Sequence, residues 1–358
     1  MNYKEYIEQM KNLQINLGKF LEEFDNVEEN YIKLKKIILD NKIPENRIKF
    51  KTFLFLLRSI AKNHNRRNNL IEKVERIINE YKTNIKHTLS NSELFEIFKN
   101  QKLILLFLLE EKIITIDQPI LDTITHGKYI KMKYPEYFQP EISEFLGEKL
   151  EIPAKFEGQR KEGENENYIC QLMRQDSIEE FISFISKTNL SIGFQIESSI
   201  NETNSFLIRE KPTLIEYSAF FGSIQIFKYL LENKAPFSNK LWIYAIHSNN
   251  FELISFLEIQ QIVPLYEEIF KKSIECHHNN IANYIFNKFI QNVDENNYHY
   301  NMYNYSFHYR NYLYFPSKHS YKFLFYYACQ YNHLDIVENL VKNTKINVDK
   351  KIVSSSII

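Results

Sequence analysis

The run SIECHHNNIANYIF carries the side chains with the widest chemical reach in this chain: Cys276, His277 and His278, side by side. A thiolate with an imidazole in hydrogen-bond reach is an activated nucleophile. Thiolate and imidazole are also ordinary zinc donors. Adjacent residues on a helix point about 100° apart, so the three cannot all face one ion. His299, His308 and His319 would join them only through a folded-back loop, which the spacing does not require. No P-loop, HExxH, CxxC or GxGxxG pattern is present. The members of a Ser-His-Asp set need not be adjacent, and nothing in the sequence marks one. A metal or enzyme site near residues 276–278 is therefore set against a second expectation: that these residues turn the corner of a structural repeat.

The bulk of the chain narrows the choice. It has 358 residues, with 45 basic and 45 acidic side chains and a formal net charge of zero. That balance gives no electrostatic case for nucleic acid or an anionic membrane. Seven glycines leave little material for phosphate-cradling loops. Cys170, Cys276 and Cys329 are scattered and odd in number, which fits a reducing compartment. The start, MNYKEYIEQMKNLQ, lacks the apolar core of a signal peptide. The longest apolar runs, such as LILLFLL, are too short to span a bilayer. The expected location is intracellular and cytoplasmic, with no membrane span and no cofactor.

The elements that must position any site read as helices. Tyr6, Met10, Leu13, Leu17, Phe20, Phe24, Val27, Tyr31, Leu34 and Ile38 step by threes and fours. This seam reads either as a coiled coil giving a homodimer through residues 1–40, or as two helices broken near Asp25-Asn26 and folded back. Gly18 and the aromatic seam positions favour the fold-back. KNHNRRNN at 62–69 reads as a solvated connector. SNSELFEIFKNQKLILLFLLEEKII reads as two helices with Ser92 as N-cap. Prolines at 119, 135, 140 and 153 make residues 117–165 irregular, and FEGQRKEGENEN at 156–167 is the expected internal boundary or exposed loop.

Self-similarity organises the C-terminal half. TLIEYSAFFGSIQIFKYLLE, KLWIYAIHSNNFELISFLEI, KKSIECHHNNIANYIFN and FLFYYACQYNHLDIVENLVK align with Ile226, Leu253, Ile281 and Ile336 in register. Small residues precede the turn at Ser218, Ala245, Ser273 and Ala328. The turn slot holds Gly222, Asn249, His277 and Asn332, and the next slot Ser223, Asn250, His278 and His333. The turn slot suits left-handed backbone, which Gly and Asn tolerate best. The register residues are 27, 28 and 55 apart, so a degenerate unit is expected in the Tyr-rich stretch near 291–320. That stretch lacks the basic run that nucleobase stacking would need, and reads as a buried or partner-facing insertion. The resulting division is 1–88 helical, 89–200 divergent helical hairpins and 201–358 repeats.

YSAFFGSIQIFKYLLE and YYACQYNHLDIVENLVK resemble ankyrin repeats, most closely at Ala328, Asn332, His333, Asp335, Ile336, Val337 and Leu340. The wider run TLIEYSAFFGSIQIFKYLLENKAPFSNKLWIYAIHSNNFELISFLE, with ECHHNNIANYI and SNSELFEIFKNQKLILLFLLEEKIITID, resembles the expanded ankyrin-repeat family of trichomonad protists. Thr213-Leu214-Ile215-Glu216 stands where the ankyrin pattern has Thr-Pro-Leu-His. The unit is shorter than the usual 33 residues, so abbreviated β-hairpin fingers are expected.

The fold expected is all-α: a helical solenoid of ankyrin-like helix-turn-helix repeats behind an N-terminal helical segment. The function expected is non-catalytic binding of an unknown protein partner. In such solenoids variable first-helix residues line a concave face. By register these are Tyr217, Phe220, Phe221, Tyr244, His247, Ser248, Glu275, Cys276, Tyr327, Gln330 and Tyr331. The alternatives are the Cys/His site and a structural oligomer formed through the N-terminal helices. The tail INVDKKIVSSSII offers no polar capping helix, so either its unit is incomplete or a partner covers it.

Overall fold

A computed structural model describes residues 3–63, 69–149, 151, 153–290, 295–315 and 321–343. Residues 64–68 of the connector, His319, the side chain of His299 and the tail from 344 lie outside the described residues. The described chain is all-α. Its one extended pairing is an isolated antiparallel bridge between Gln195 and Thr213. Among the described residues no helix is long and apolar enough to cross a membrane.

The chain forms two compact units that cut across its linear order. A terminal unit joins residues 1–61, 66–74 and 266–358; a central unit holds 62–65 and 75–265. This grouping differs from the linear division into 1–88, 89–200 and 201–358. Its physical cause lies in the first helix, Tyr3–Glu22. That helix buries Tyr6, Met10, Leu13, Leu17 and Phe20 along one face. Full burial of a Leu or Phe side chain contributes about 1.5–3 kcal/mol. Asn26, left-handed at φ 55°, turns the chain into the second helix, Val27–Asp40, which packs back on the first. The Phe20 and Tyr31 rings meet at 5.0 Å. Lys73 donates to the backbone oxygens of Leu21 and Glu23, at 3.3 and 2.8 Å. A cation there meets the negative end of the first helix.

The rest of the terminal unit is repeat-like. Helices Tyr266–Glu275 and Asn279–Ile285 form one hairpin, and Tyr321–Gln330 and Leu334–Asn343 another. Between them the Tyr-rich stretch gives a single helix, Glu295–Tyr309, followed by one 3-10 turn, Tyr312–Tyr314. Among the described residues it has a first helix and a corner, then that short turn where its neighbours have a second helix. The Tyr3–Glu22 helix packs against this 3-10 turn and against Leu334–Asn343.

Among its described residues the central unit has four helical hairpins. They are Asn91–Phe98 with Lys102–Glu110, Tyr168–Gln175 with Ile178–Thr188, Leu214–Phe221 with Ile224–Glu232, and Leu241–His247 with Phe251–Ile259. The N-cap of the first is Ser90, not Ser92: its hydroxyl accepts from the Glu93 backbone while Glu93 returns to the Ser90 N–H. Thr213 and Glu216 close the same box ahead of Leu214–Phe221. The Thr-Leu-Ile-Glu run thus starts its helix with its own carboxylate. Pro119, Pro135 and Pro140 each fall in the first turn of a short helix, where a missing N–H costs nothing. Residues 156–167 are not an open boundary. Most lie in the helix Ala154–Glu162, whose Arg160 is buried against Glu141 at 2.8 Å.

Candidate functional site

One corner recurs in both units. The turn slot is left-handed at Gly222 (φ 65°), Asn249 (51°), His277 (59°) and Asn332 (55°). The same backbone occurs at Asp176 (53°) and Arg310 (57°), which the repeat register did not reach. At five of these corners the next N–H bonds the carbonyl five residues back. Ser177 reaches Leu172 at 3.0 Å, Ser223 reaches Ser218 at 2.9 Å, and His278 reaches Ser273 at 3.1 Å. Asn311 reaches Ser306 at 2.9 Å, and His333 reaches Ala328 at 2.8 Å. This is the Schellman closure of a helix C-terminus. The register residues Ile226, Leu253, Ile281 and Ile336 are all fully buried.

At Ser223 and His333 the residue after the turn ties its corner to an earlier helix. In the central unit the Ser223 hydroxyl donates to the carbonyl of Met173, three residues before the Asp176 turn. In the terminal unit His333 places Nε2 at 2.7 Å from the carbonyl of Phe307, three residues before the Arg310 turn. A carbonyl only accepts, so His333 Nε2 carries the proton and Nδ1 accepts from Arg310 at 3.1 Å. Burial and the Arg310 charge push its pKa well below the usual imidazole value.

Cys276, His277 and His278 sit at such a corner, all buried. His277 Nε2 lies 3.0 Å from the Tyr309 carbonyl and Nδ1 lies 3.1 Å from the Gln14 amide nitrogen. Nε2–H therefore donates to Tyr309, and Nδ1 accepts from Gln14. Burial pushes the His277 pKa down to about 4. A neutral ring with both nitrogens committed offers Cys276 no base and a metal no lone pair. Among the described residues no three His, Cys, Asp or Glu side chains are grouped to hold a metal ion. In the central unit Cys170 is also buried, and burial pushes its thiol up to about 12. A thiol held protonated is a poor nucleophile.

Gln14 is the hub of a buried polar seam in the terminal unit. Its amide nitrogen donates to Asn311 Oδ1 at 2.7 Å, and its oxygen accepts from the Tyr312 backbone at 2.7 Å. Asn311 in turn donates to the Ile274 carbonyl at 3.1 Å and to Asn279 Oδ1 at 2.8 Å. Further along the same helix the Tyr6 hydroxyl donates to Asp335. Arg310 donates to the Asn332 carbonyl at 3.0 Å and lies 4.6 Å over the Phe55 ring.

The register-derived partner positions divide sharply. Tyr217, Phe220, Phe221, Tyr244, His247 and Ser248 in the central unit, and Cys276 and Tyr327 in the terminal unit, are buried. Glu275 and Tyr331 are half-buried, and Gln330 is exposed. Three of the central six, Phe220, Tyr244 and His247, face residues 199–208, a segment that nothing in the sequence marks. Phe206 from that segment stacks on Phe220 at 6.0 Å and meets Tyr244 at 5.0 Å and His247 at 4.3 Å. Lys102, itself buried, donates to the backbone oxygens of Ile200 and Glu202, each at 3.3 Å. Its ammonium also lies 5.0 Å from the Tyr137 ring centre.

No family model, curated protein or solved structure matches the chain.

Proposed function

We propose that this chain is a non-catalytic protein-interaction scaffold, a helical solenoid of ankyrin-like repeats that binds a protein partner. The observation that carries the reading is the corner itself. A small buried residue, a left-handed turn residue and a residue tied back to an earlier helix recur in both units. A repeated corner stacks hairpins and leaves their outer residues free to vary, which is how repeat solenoids present binding surfaces. The resemblance to ankyrin repeats, and to the trichomonad family with expanded repeats, belongs to the same proposal. The commitment of His277 to Gln14 and Tyr309 weighs against the Cys/His alternative.

In this reading Gln330, Tyr331 and Glu275 are the register positions that a partner meets directly. Self-association through residues 1–40 would use Ile32 and Leu39, which are 61% and 53% exposed, since the seam residues Tyr6 to Phe20 are buried. The test is affinity capture with the full chain and with the double variant Gln330→Ala, Tyr331→Ala. Loss of specific partners from the variant is expected. Recovery of every partner by a folded variant would overturn the assignment.

A further inference from the structure

We propose that residues 199–208 are a displaceable internal ligand of the central unit, occupying the first-helix face where a partner peptide docks. This rests on the scaffold reading, and it adds the chemistry of the partner: a polar, amide-rich run leading into one aromatic side chain.

The segment SINETNSFLI is an unusual thing to bury. Asn201, Glu202, Thr203, Asn204 and Ser205 are each less than a tenth exposed. Buried polar groups are tolerated only when hydrogen-bonded. Part of that bonding runs to the body of the unit, where the Ser199 hydroxyl donates to Glu166, and part is internal to the segment. The Asn201 N–H donates to Ser199 Oγ at 2.9 Å and the Asn204 N–H to Glu202 Oε1 at 2.7 Å. Asn204 Oδ1 caps the N–H groups of Phe206 and Leu207. The segment brings its own turn chemistry, as a peptide ligand does.

The body of the unit reads the segment by two devices. Lys102 binds the carbonyls of Ile200 and Glu202, and the Gly163 carbonyl accepts from both the N–H and the hydroxyl of Thr203, each at 3.0 Å. Three of these four contacts are to backbone groups, which any peptide supplies. The other device is the ring pocket of Phe220, Tyr244 and His247 around Phe206. Main-chain bonds for affinity and one pocket for specificity is a general mode of peptide recognition. An aromatic anchor in a ring-lined pocket is the residue type that carries most interface energy. The pocket residues are also those that the repeat register assigns to the partner.

The test uses the full chain and a fluorescein-labelled synthetic peptide of residues 197–210, followed by anisotropy. Phe206→Ala empties the pocket while leaving the segment tethered. Saturable binding of the peptide to the Phe206→Ala chain is expected. Wild type should bind at least about tenfold more weakly, because its own tethered segment competes at a high effective concentration. The same peptide carrying alanine at position 206 should not bind. A folded Phe206→Ala chain that ignores the peptide, or equal binding by both chains, would overturn the proposal. Peptide exchange between copies, seen as a Phe206-dependent dimer in light scattering, would overturn the assignment to a partner.

Hydrogen exchange of the unmodified chain covers the case in which Phe206→Ala does not fold. Amides of residues 203–208 should open at least about tenfold faster than those of 217–221 beneath them. Equal rates would make the segment core and end the proposal. Neither arm uses an external partner, so the scaffold reading stands or falls separately on Gln330 and Tyr331.

Discussion

Each unit of this chain covers part of its helical hairpins with a further segment, and the two covers are built differently. In the terminal unit the cover is the helix Tyr3–Glu22, laid against the 3-10 turn Tyr312–Tyr314 of the Tyr-rich stretch. It brings a continuous apolar seam and a buried polar hub at Gln14. In the central unit the cover is the short run 199–208, with one aromatic anchor and polar bonds divided between the run itself and the body of the unit. A long seam with committed hydrogen bonds makes a part of the fold. A short polar run that ends in one buried helical turn, Phe206 to Ile208, makes an occupant.

The largest effects should appear where the cover is permanent. Phe20 is fully buried in the terminal seam. Phe20→Ala should cost about 3–5 kcal/mol in urea unfolding. Phe206→Ala should cost clearly less, since the loss is bounded by the free energy of opening the segment locally. Equal costs would erase the distinction between the two covers.

Acid should also act on the terminal seam. Unfolded His277 takes up a proton near pH 6.5, whereas the folded chain refuses it until about pH 4. Stability contributed by the neutral ring is therefore full above 6.5 and falls as pH drops toward 4. The loss is about 3 kcal/mol over that window. His333, depressed in the same direction, adds to the slope. His277→Gln, which keeps hydrogen-bonding capacity without the titration, should flatten a plot of urea midpoint against pH. An unchanged slope would remove His277 as its source.

Gln14→Ala comes next, at about 2–3 kcal/mol, because the Tyr312 N–H and His277 Nδ1 lose their partner in a buried place. Thermal unfolding would show it. The smallest effects belong to the turn slots. Gly222→Ala should cost about 1–2 kcal/mol, since φ is 65° and the added Cβ would meet Ser248 Cβ at 3.2 Å. Asn249→Gly should be close to neutral by the same measurement, because Asn already tolerates this backbone.

The corners were legible because backbone demand leaves a mark on residue type: Gly, Asn, Asn and a small residue before them. Arg310 left none. Arginine carries no preference for left-handed backbone, and the single 3-10 turn after it breaks the period that revealed the other corners. Gln14 was equally hidden, a polar residue in an apolar seam whose partner Asn311 lies 297 positions away. Ser90 was legible but misread: Glu93 stands three residues after it, the spacing of a capping box, whereas Ser92 has no such partner. The register located a first-helix face but gave no sign of Phe206, because periodicity identifies the face and says nothing of what lies on it.

Hydrogen exchange on the whole chain tests the contrast between the covers most directly, with amides 6–20 and 203–208 read in one experiment. Residues 6–20 should exchange only with global opening of their unit, while 203–208 exchange through a separate, faster opening. Protection of both segments at the level of their own unit's core would contradict the account.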